Sequence, residues 1–544
     1  MRGAGKGWSL ARRWWLASTA LLESLITSGA LLGWSSLLPV LMAEGVFSGL
    51  CAQPDEGLNA TAGPSDLPDN VSGVVALRDA GGYASCPRQE TRLHVAFTVG
   101  AFVQAATVLP LGVLMDRYGA RRLRQIGSAA FCLSCIFFSY TAANPGNLST
   151  LVFVAVSLNG FGGMCINVSG QMLAEMFQTI SNVFSALLLG SFCSAAFTMT
   201  ILKVMYEAGV PFIYICLGWA LLAVVIFLNA MFGWPEEAMT GPAHMNHSIR
   251  LKLSFRGSQR GTQGKEFYAQ MAAMGYRLRP DLREQHSLLQ SADRTSTERS
   301  LAFMRSIFTP VMLWSMVTMA VTQLHLTFYL GSLGSLLPGG PADTELYVTV
   351  FGLLQPLCLL VCPLLGHLLM RETAASRADP AVAESEEERD LSRKITKVRR
   401  AMCVFFTTSV LLLAFGITSL VPNLHLQIAT FILHTVDRAA VAMACNELYT
   451  AVFPESHFGY LNGVQFLASA LVTLLQHPLH LVLVDDTLAD SALWVNGLLL
   501  AVSVLSLGLP FYLLYYQRRL AKELGENSAV CSQPTLPEEA HTTK

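Results

Sequence analysis

Twelve apolar runs of about 20 residues each, the length that crosses a hydrocarbon core of roughly 30 Å, dominate this chain. They begin near Trp14, Leu93, Leu123, Leu151, Val183, Phe212, Ile307, Leu346, Ala401, Leu424, Leu461 and Leu493. Inside a bilayer a backbone must bond to itself, and runs of this length do so only as helices. The expected fold is therefore all-α: a membrane protein of twelve transmembrane helices. Only 13% of the residues are charged, against roughly 25% in soluble domains. The net charge of −1 carries no basic surplus for nucleic acid. The first run contains Glu23 and lacks a small-residue cleavage site before Pro39, so it reads as a retained span and not a signal peptide.

Basic residues set the expected orientation. Thirty-one of the 36 Lys and Arg fall in the amino terminus, the carboxyl tail and three loops on the same side. That side reads as cytoplasmic, with both termini on it. The opposite side holds loop 43–92, rich in Gly, Pro and Asp, with glycosylation sequons at Asn59 and Asn70. Cys51 and Cys86 also lie there, and on an oxidising side they either pair or stay as two thiols. Domain boundaries follow: a six-helix bundle over 1–233, a cytoplasmic linker over 234–306, a second bundle over 307–516, and a tail over 517–544. The acidic and basic runs of loop 370–400 read as solvated.

The two bundles echo one another. Pro110-Leu111-Gly112 precedes Arg117, and Pro363-Leu364-Leu365-Gly366 precedes Arg371, with the Arg five positions after the Gly both times. Parallel repeats with a site between them near the midplane characterise a large class of secondary transporters. Gly112-Val113-Leu114-Met115-Asp116-Arg117-Tyr118-Gly119-Ala120-Arg121-Arg122 resembles the signature of the major facilitator superfamily between spans 2 and 3. Gly112 would permit close helix approach, and Asp116, Arg117 and Arg121 would form a state-dependent gate. The second copy has Met370 where an Asp is expected.

Further stretches carry a closer resemblance: Arg12-Arg13-Trp14-Trp15, Leu31-Leu32-Gly33-Trp34, Leu158-Asn159-Gly160-Phe161-Gly162-Gly163-Met164, Thr322-Gln323-Leu324, Pro422-Asn423-Leu424-His425-Leu426-Gln427, His457-Phe458-Gly459 and Trp494-Val495-Asn496. From about Arg12 to Arg519 the chain resembles the solute carrier 43 family, nearest its large neutral amino acid branch. The resemblance implies two six-helix bundles of the major facilitator fold in the plasma membrane. It also implies sodium-independent, facilitative uniport of large neutral L-amino acids, without a cofactor or an obligatory protein partner. Nucleobase carriage, seen in another branch, and a non-transporting scaffold are the alternatives. Ile180, His325, Asp437 and Glu447 depart from the branch pattern.

Charged and polar groups at membrane depth are costly and mark function. Glu23 lies nine residues past Trp14, about 13 Å into span 1; there it would accept a ligand ammonium, bind a proton or bond a neighbouring helix. Span 4 carries Asn159, a Gly160-Phe161-Gly162-Gly163 break and Asn167. Gly162 and Gly163 would either expose backbone to a ligand cavity or pack helices tightly. His434 and Arg438 of span 10 share a face, and Arg438 would pair with the adjacent Asp437 or, failing that, meet a ligand carboxylate. Gln323 and His325 of span 7 are expected to face the same central cavity. No zinc-protease pair, nucleophile elbow or phosphate loop occurs, so the chain reads as no enzyme and as holding no metal.

Overall fold

A computed structural model of the chain describes residues 10–51, 86–176, 181–234, 306–365, 386–453, 458–485 and 490–531. Asn59, Asn70 and Ile180, together with the side chains of Asp116, Arg117 and Glu447, lie outside the described residues. Every regular element among the described residues is helical. All contacts discussed below fall within one compact unit, made of Met1–Met239 and Trp314–Lys544.

Among the described residues eleven helices are long and apolar enough to cross a bilayer, and a bent pair, Ala11–Ser28 with Ala30–Ala43, makes a twelfth when taken as one span, span 1. Spans 2 to 6 are Pro87–Gly112, Tyr118–Ala143, Leu151–Ala174, Val183–Glu207 and Phe212–Gly233. Spans 7 to 12 are Pro310–Gly331, Ala342–Leu365, Lys394–Leu420, Leu424–Cys445, Gly459–Leu483 and Ser491–Lys522. The helices outrun the apolar stretches that betray them. Span 2 starts at Pro87, whose missing N–H suits the first helical turn. The helix containing span 9 covers Glu386–Leu420, so the charged residues 386–400 are helical.

Arg12, at the start of span 1, donates to the Gly233 carbonyl at the end of span 6 (3.3 Å). This end of the first bundle is the terminal end. Cys51 and Cys86, bonded as a disulfide between spans 1 and 2, mark the opposite, disulfide end.

Span 1 is the broken helix of the first bundle. Ser24–Ser28 is wound as a π-turn and Ala30–Gly33 as a 3₁₀ turn, with a bend of 49° between the two halves. Glycines fill the break from both sides. A Cβ on Gly163 would strike the Ser28 carbonyl oxygen, one on Gly29 the Phe192 carbonyl oxygen, and one on Gly33 would lie 2.6 Å from the Met199 Cβ. Span 4, by contrast, is an unbroken helix over Leu151–Gln171. The break expected at its glycines is absent, because each of them meets a neighbouring helix: a Cβ on Gly162 would lie 2.7 Å from the Gly127 carbonyl oxygen. Gly112 has no neighbour within 4 Å of a Cβ, which corrects its expected role in helix approach. The turn between spans 2 and 3 instead depends on Gly119, at φ +77°, where a side chain is strained.

These contacts give opposite outcomes for two glycines of the same chemistry. Gly163→Ala should lower stability by roughly 1–3 kcal/mol through overpacking against span 1, and Gly112→Ala should leave it unchanged. Thermal unfolding in detergent reads both, and equal midpoints for the two variants would contradict the packing described.

Candidate functional site

Glu23 is buried in the first bundle, where Arg124 of span 3 forms an ion pair with its Oε2. Arg124 Nε donates to the same oxygen at 3.0 Å, and Asn229 Nδ2 of span 6 donates to Oε1 at 2.6 Å. The guanidinium also donates to the Ile166 carbonyl (3.1 Å) and to Ser169 Oγ (3.2 Å) of span 4, and lies over the Trp234 ring at 4.4 Å. Four spans are thus pinned through one buried cation. Both Glu23 oxygens are engaged within the bundle. Arg121 caps the last turn of span 6 by donating to the Met231 carbonyl, a group with no partner inside its own helix.

In the second bundle, His325 and His434 point inward and not into the cleft between bundles. His325 Nδ1 bonds Ser503 Oγ of span 12 at 2.9 Å, and its ring packs on Phe415 of span 9 at 4.8 Å. His434 Nε2 meets the Leu326 carbonyl at 3.1 Å, beside Tyr329, Phe351 and Phe415. Gln323 is two positions from His325 and so faces another direction, half-buried and donating to Thr327 Oγ1 at 3.3 Å. The shared cavity expected for the two residues is therefore corrected.

Arg438 crosses between bundles. Its Nη2 donates to the Cys193 carbonyl of span 5 (2.8 Å) and to Gln355 Oε1 of span 8 (2.5 Å). The expected pair with Asp437 does not form: both Asp437 carboxylate oxygens are buried without a hydrogen-bond partner. Adjacent residues on a helix do not face one another. Arg438 Nε and Nη1 are likewise buried and unpartnered. The result is a buried guanidinium between the bundles with three of its five N–H donors unused. On the first bundle, Asn159 Nδ2 and Asn167 Oδ1 are buried and unpartnered too.

Contacts that sequence reasoning missed close the disulfide end. Buried Lys203 of span 5 forms ion pairs with Glu207 (3.1 Å) and with Glu345 of span 8 (3.6 Å), and donates to Thr349 Oγ1 (2.9 Å). On the other flank the His94 ring of span 2 stacks on His480 of span 11, with centroids 3.8 Å apart. Ser332 Oγ lies 3.4 Å from His94 Nε2 and 3.1 Å from His480 Nδ1. A third missed group comprises buried Gln104, Gln465 and Ser469, each with an unpartnered polar atom. Gln465, Ser469, Thr473 and Gln476 recur on one face of a largely apolar span 11, a spacing that would have exposed it. No group of His, Cys, Asp or Glu suited to a metal occurs among the described residues.

Residues 88–379 match the Major Facilitator Superfamily. The chain is 39% identical to the "Large neutral amino acids transporter small subunit 3" of Homo sapiens and 38% identical to that of Mus musculus, in each case over 95% of this chain and 96% of the relative. It is 26% identical to the "Equilibrative nucleobase transporter 1" of Bos taurus, over 91% of this chain and 94% of that one.

Removing one partner of a buried ion pair leaves a charge uncompensated, at a cost of about 3–5 kcal/mol. Arg124→Ala should therefore lower the thermal unfolding midpoint strongly, and Arg124→Lys less so. An Arg124→Ala variant as stable as the parent would show that the Glu23 cluster does not hold the first bundle together.

Proposed function

Because the chain belongs to the solute carrier 43 family of the major facilitator superfamily, and is a multi-pass membrane transporter and not an enzyme, we propose that it is a facilitative, sodium-independent uniporter of large neutral L-amino acids. The reading has it acting in the plasma membrane by alternating access. Its terminal end faces the cytoplasm, in keeping with the 31 basic residues on that side, and Asn59 and Asn70 carry sugar outside.

The observation that carries this reading is Arg438. A guanidinium buried between the bundles with Nε and Nη1 unpartnered still has charge-assisted donors to offer an α-carboxylate. Its one engaged nitrogen already joins the bundles through Cys193 and Gln355, so a carboxylate drawn to the free N–H groups would change how firmly they are held. Asn167 Oδ1 offers an acceptor for the ammonium. Glu23 holds the first bundle together and leaves that task to neutral groups. Rocking of the bundles would break the Lys203–Glu345 pair on one flank and the His94–Ser332–His480 contacts on the other. Asp116, Arg117 and Arg121 would act at the terminal end, with Arg121 steadying span 6.

Purified protein in liposomes tests the reading. Leucine should equilibrate across the membrane with no ion gradient and should not accumulate under imposed sodium or proton gradients. Arg438→Ala should reduce leucine flux at least tenfold, since the lost charge-assisted bonds are worth roughly 1.5–3 kcal/mol, and Arg438→Lys should restore part of it. Accumulation of leucine under either gradient would overturn uniport. Flux of adenine without leucine would favour the nucleobase reading instead.

A further inference from the structure

Spans 2 and 11 come from different bundles and run antiparallel, with their register fixed at three levels. A Cβ on Gly463 would lie 2.8 Å from the Leu109 Cα, Phe466 packs with Val108 and Leu111, and His480 stacks on His94. A step along one span is matched by a step back along the other, which places Ser469 level with Gln104. Both ends of the seam are sealed, one by apolar packing and the other by stacked rings. Between them lies a polar stretch whose groups do not bond one another.

Gln465 is fully buried, and Ser469 and Gln104 are only 2% and 7% exposed. Gln465 Nε2 reaches Cys445 Sγ at 3.4 Å, leaving its Oε1 unpartnered; Ser469 Oγ and Gln104 Nε2 are unpartnered as well. At this level the first bundle thus contributes one unpartnered donor and the second two unpartnered acceptors. Each costs about 1–3 kcal/mol if nothing meets it. A seam that served only to close the cleft would continue the apolar packing found one turn away.

The same stretch borders Arg438. Cys445 lies seven residues beyond Arg438, two helical turns and so on the same face of span 10, and it is Cys445 that meets Gln465. The rise between them is about 10 Å, a depth covered by the reach of a guanidinium together with an extended amino acid.

We propose that Gln104, Gln465 and Ser469 form an uncharged subsite for the far end of the solute, taking a side-chain amide, so that glutamine is carried as well as apolar amino acids. This rests on the amino acid reading above and deepens it. A neutral set of one donor and two acceptors matches the N–H and C=O of an amide edge. An apolar side chain leaves the three groups without partners, so a side-chain amide gains hydrogen bonds there that leucine does not. A nucleobase presents a similar edge without a carboxylate for Arg438.

The test compares counterflow of leucine, glutamine and adenine by the full chain in liposomes. The parent should carry glutamine. Gln465→Leu and Gln104→Leu should each lower the ratio of glutamine to leucine flux about tenfold, the equivalent of one lost hydrogen bond. Ser469→Ala, too small a change to threaten folding, should lower it in the same direction, and Ser469→Thr should retain it. Leucine carried without glutamine would overturn the subsite and leave the amino acid reading standing. A glutamine-to-leucine ratio unchanged in Ser469→Ala and Gln465→Leu would overturn it too. Adenine flux lost in these variants, with neither amino acid carried, would overturn both readings.

Discussion

A buried guanidinium cannot leave its charge behind, and Arg438 sits where the two bundles meet with only Nη2 engaged. In a low-dielectric setting such a group must find acceptors or forfeit several kcal/mol. It obtains two, one from span 5 of the first bundle and one from span 8 of the second, and so becomes a joint between them. On the reading proposed above, the remaining N–H groups take the carboxylate of the solute. Binding and the closing of the cleft then act on the same side chain, and that is what an alternating-access carrier requires of its solute.

Each bundle must stay rigid for the joint to matter. In the first, Arg124 ties spans 1, 3, 4 and 6 through Glu23, Ile166, Ser169 and Asn229. The glycine contacts of spans 4 and 5 hold the bent part of span 1 in place. In the second, His325 and His434 bond to a hydroxyl and a carbonyl within an aromatic cluster of Tyr329, Phe351, Phe415 and Phe431. Polar groups that look functional in a sequence are here the internal fastenings of two moving bodies. The bundles meet at Lys203, His94 and Arg438 and along the seam of spans 2 and 11.

The spans were legible in the sequence because a bilayer leaves a helix little alternative and apolarity marks its length. Their ends were less so: the helices of spans 2 and 9 take in polar residues such as 87–92 and 386–400 that hydropathy passes over. Glu23 was recognisable as a carboxylate within span 1, but its partners Arg124 and Asn229 lie more than a hundred residues away and no spacing rule reaches them. The Gly160–Gly163 stretch suggested a break in span 4, yet the break is in span 1, since a glycine yields space to whichever neighbour comes closest. Asp437 and Arg438 looked like a pair only because they are adjacent. The polar face of span 11 was readable in principle, but neutral amides and hydroxyls attract less notice than charges at membrane depth.

The central claim is that the bundles open and close as bodies about the cleft that holds Arg438. Ala208 and Asp343 are exposed on the disulfide-end flanks of spans 5 and 8, beside the Lys203–Glu345 pair. Spin labels at these two positions, in protein held in lipid nanodiscs, report the distance between the bundles by double electron–electron resonance. The account predicts two distance populations whose ratio leucine changes, with the shorter one matching the closed flank described here. A single distance, the same with and without leucine, would contradict it.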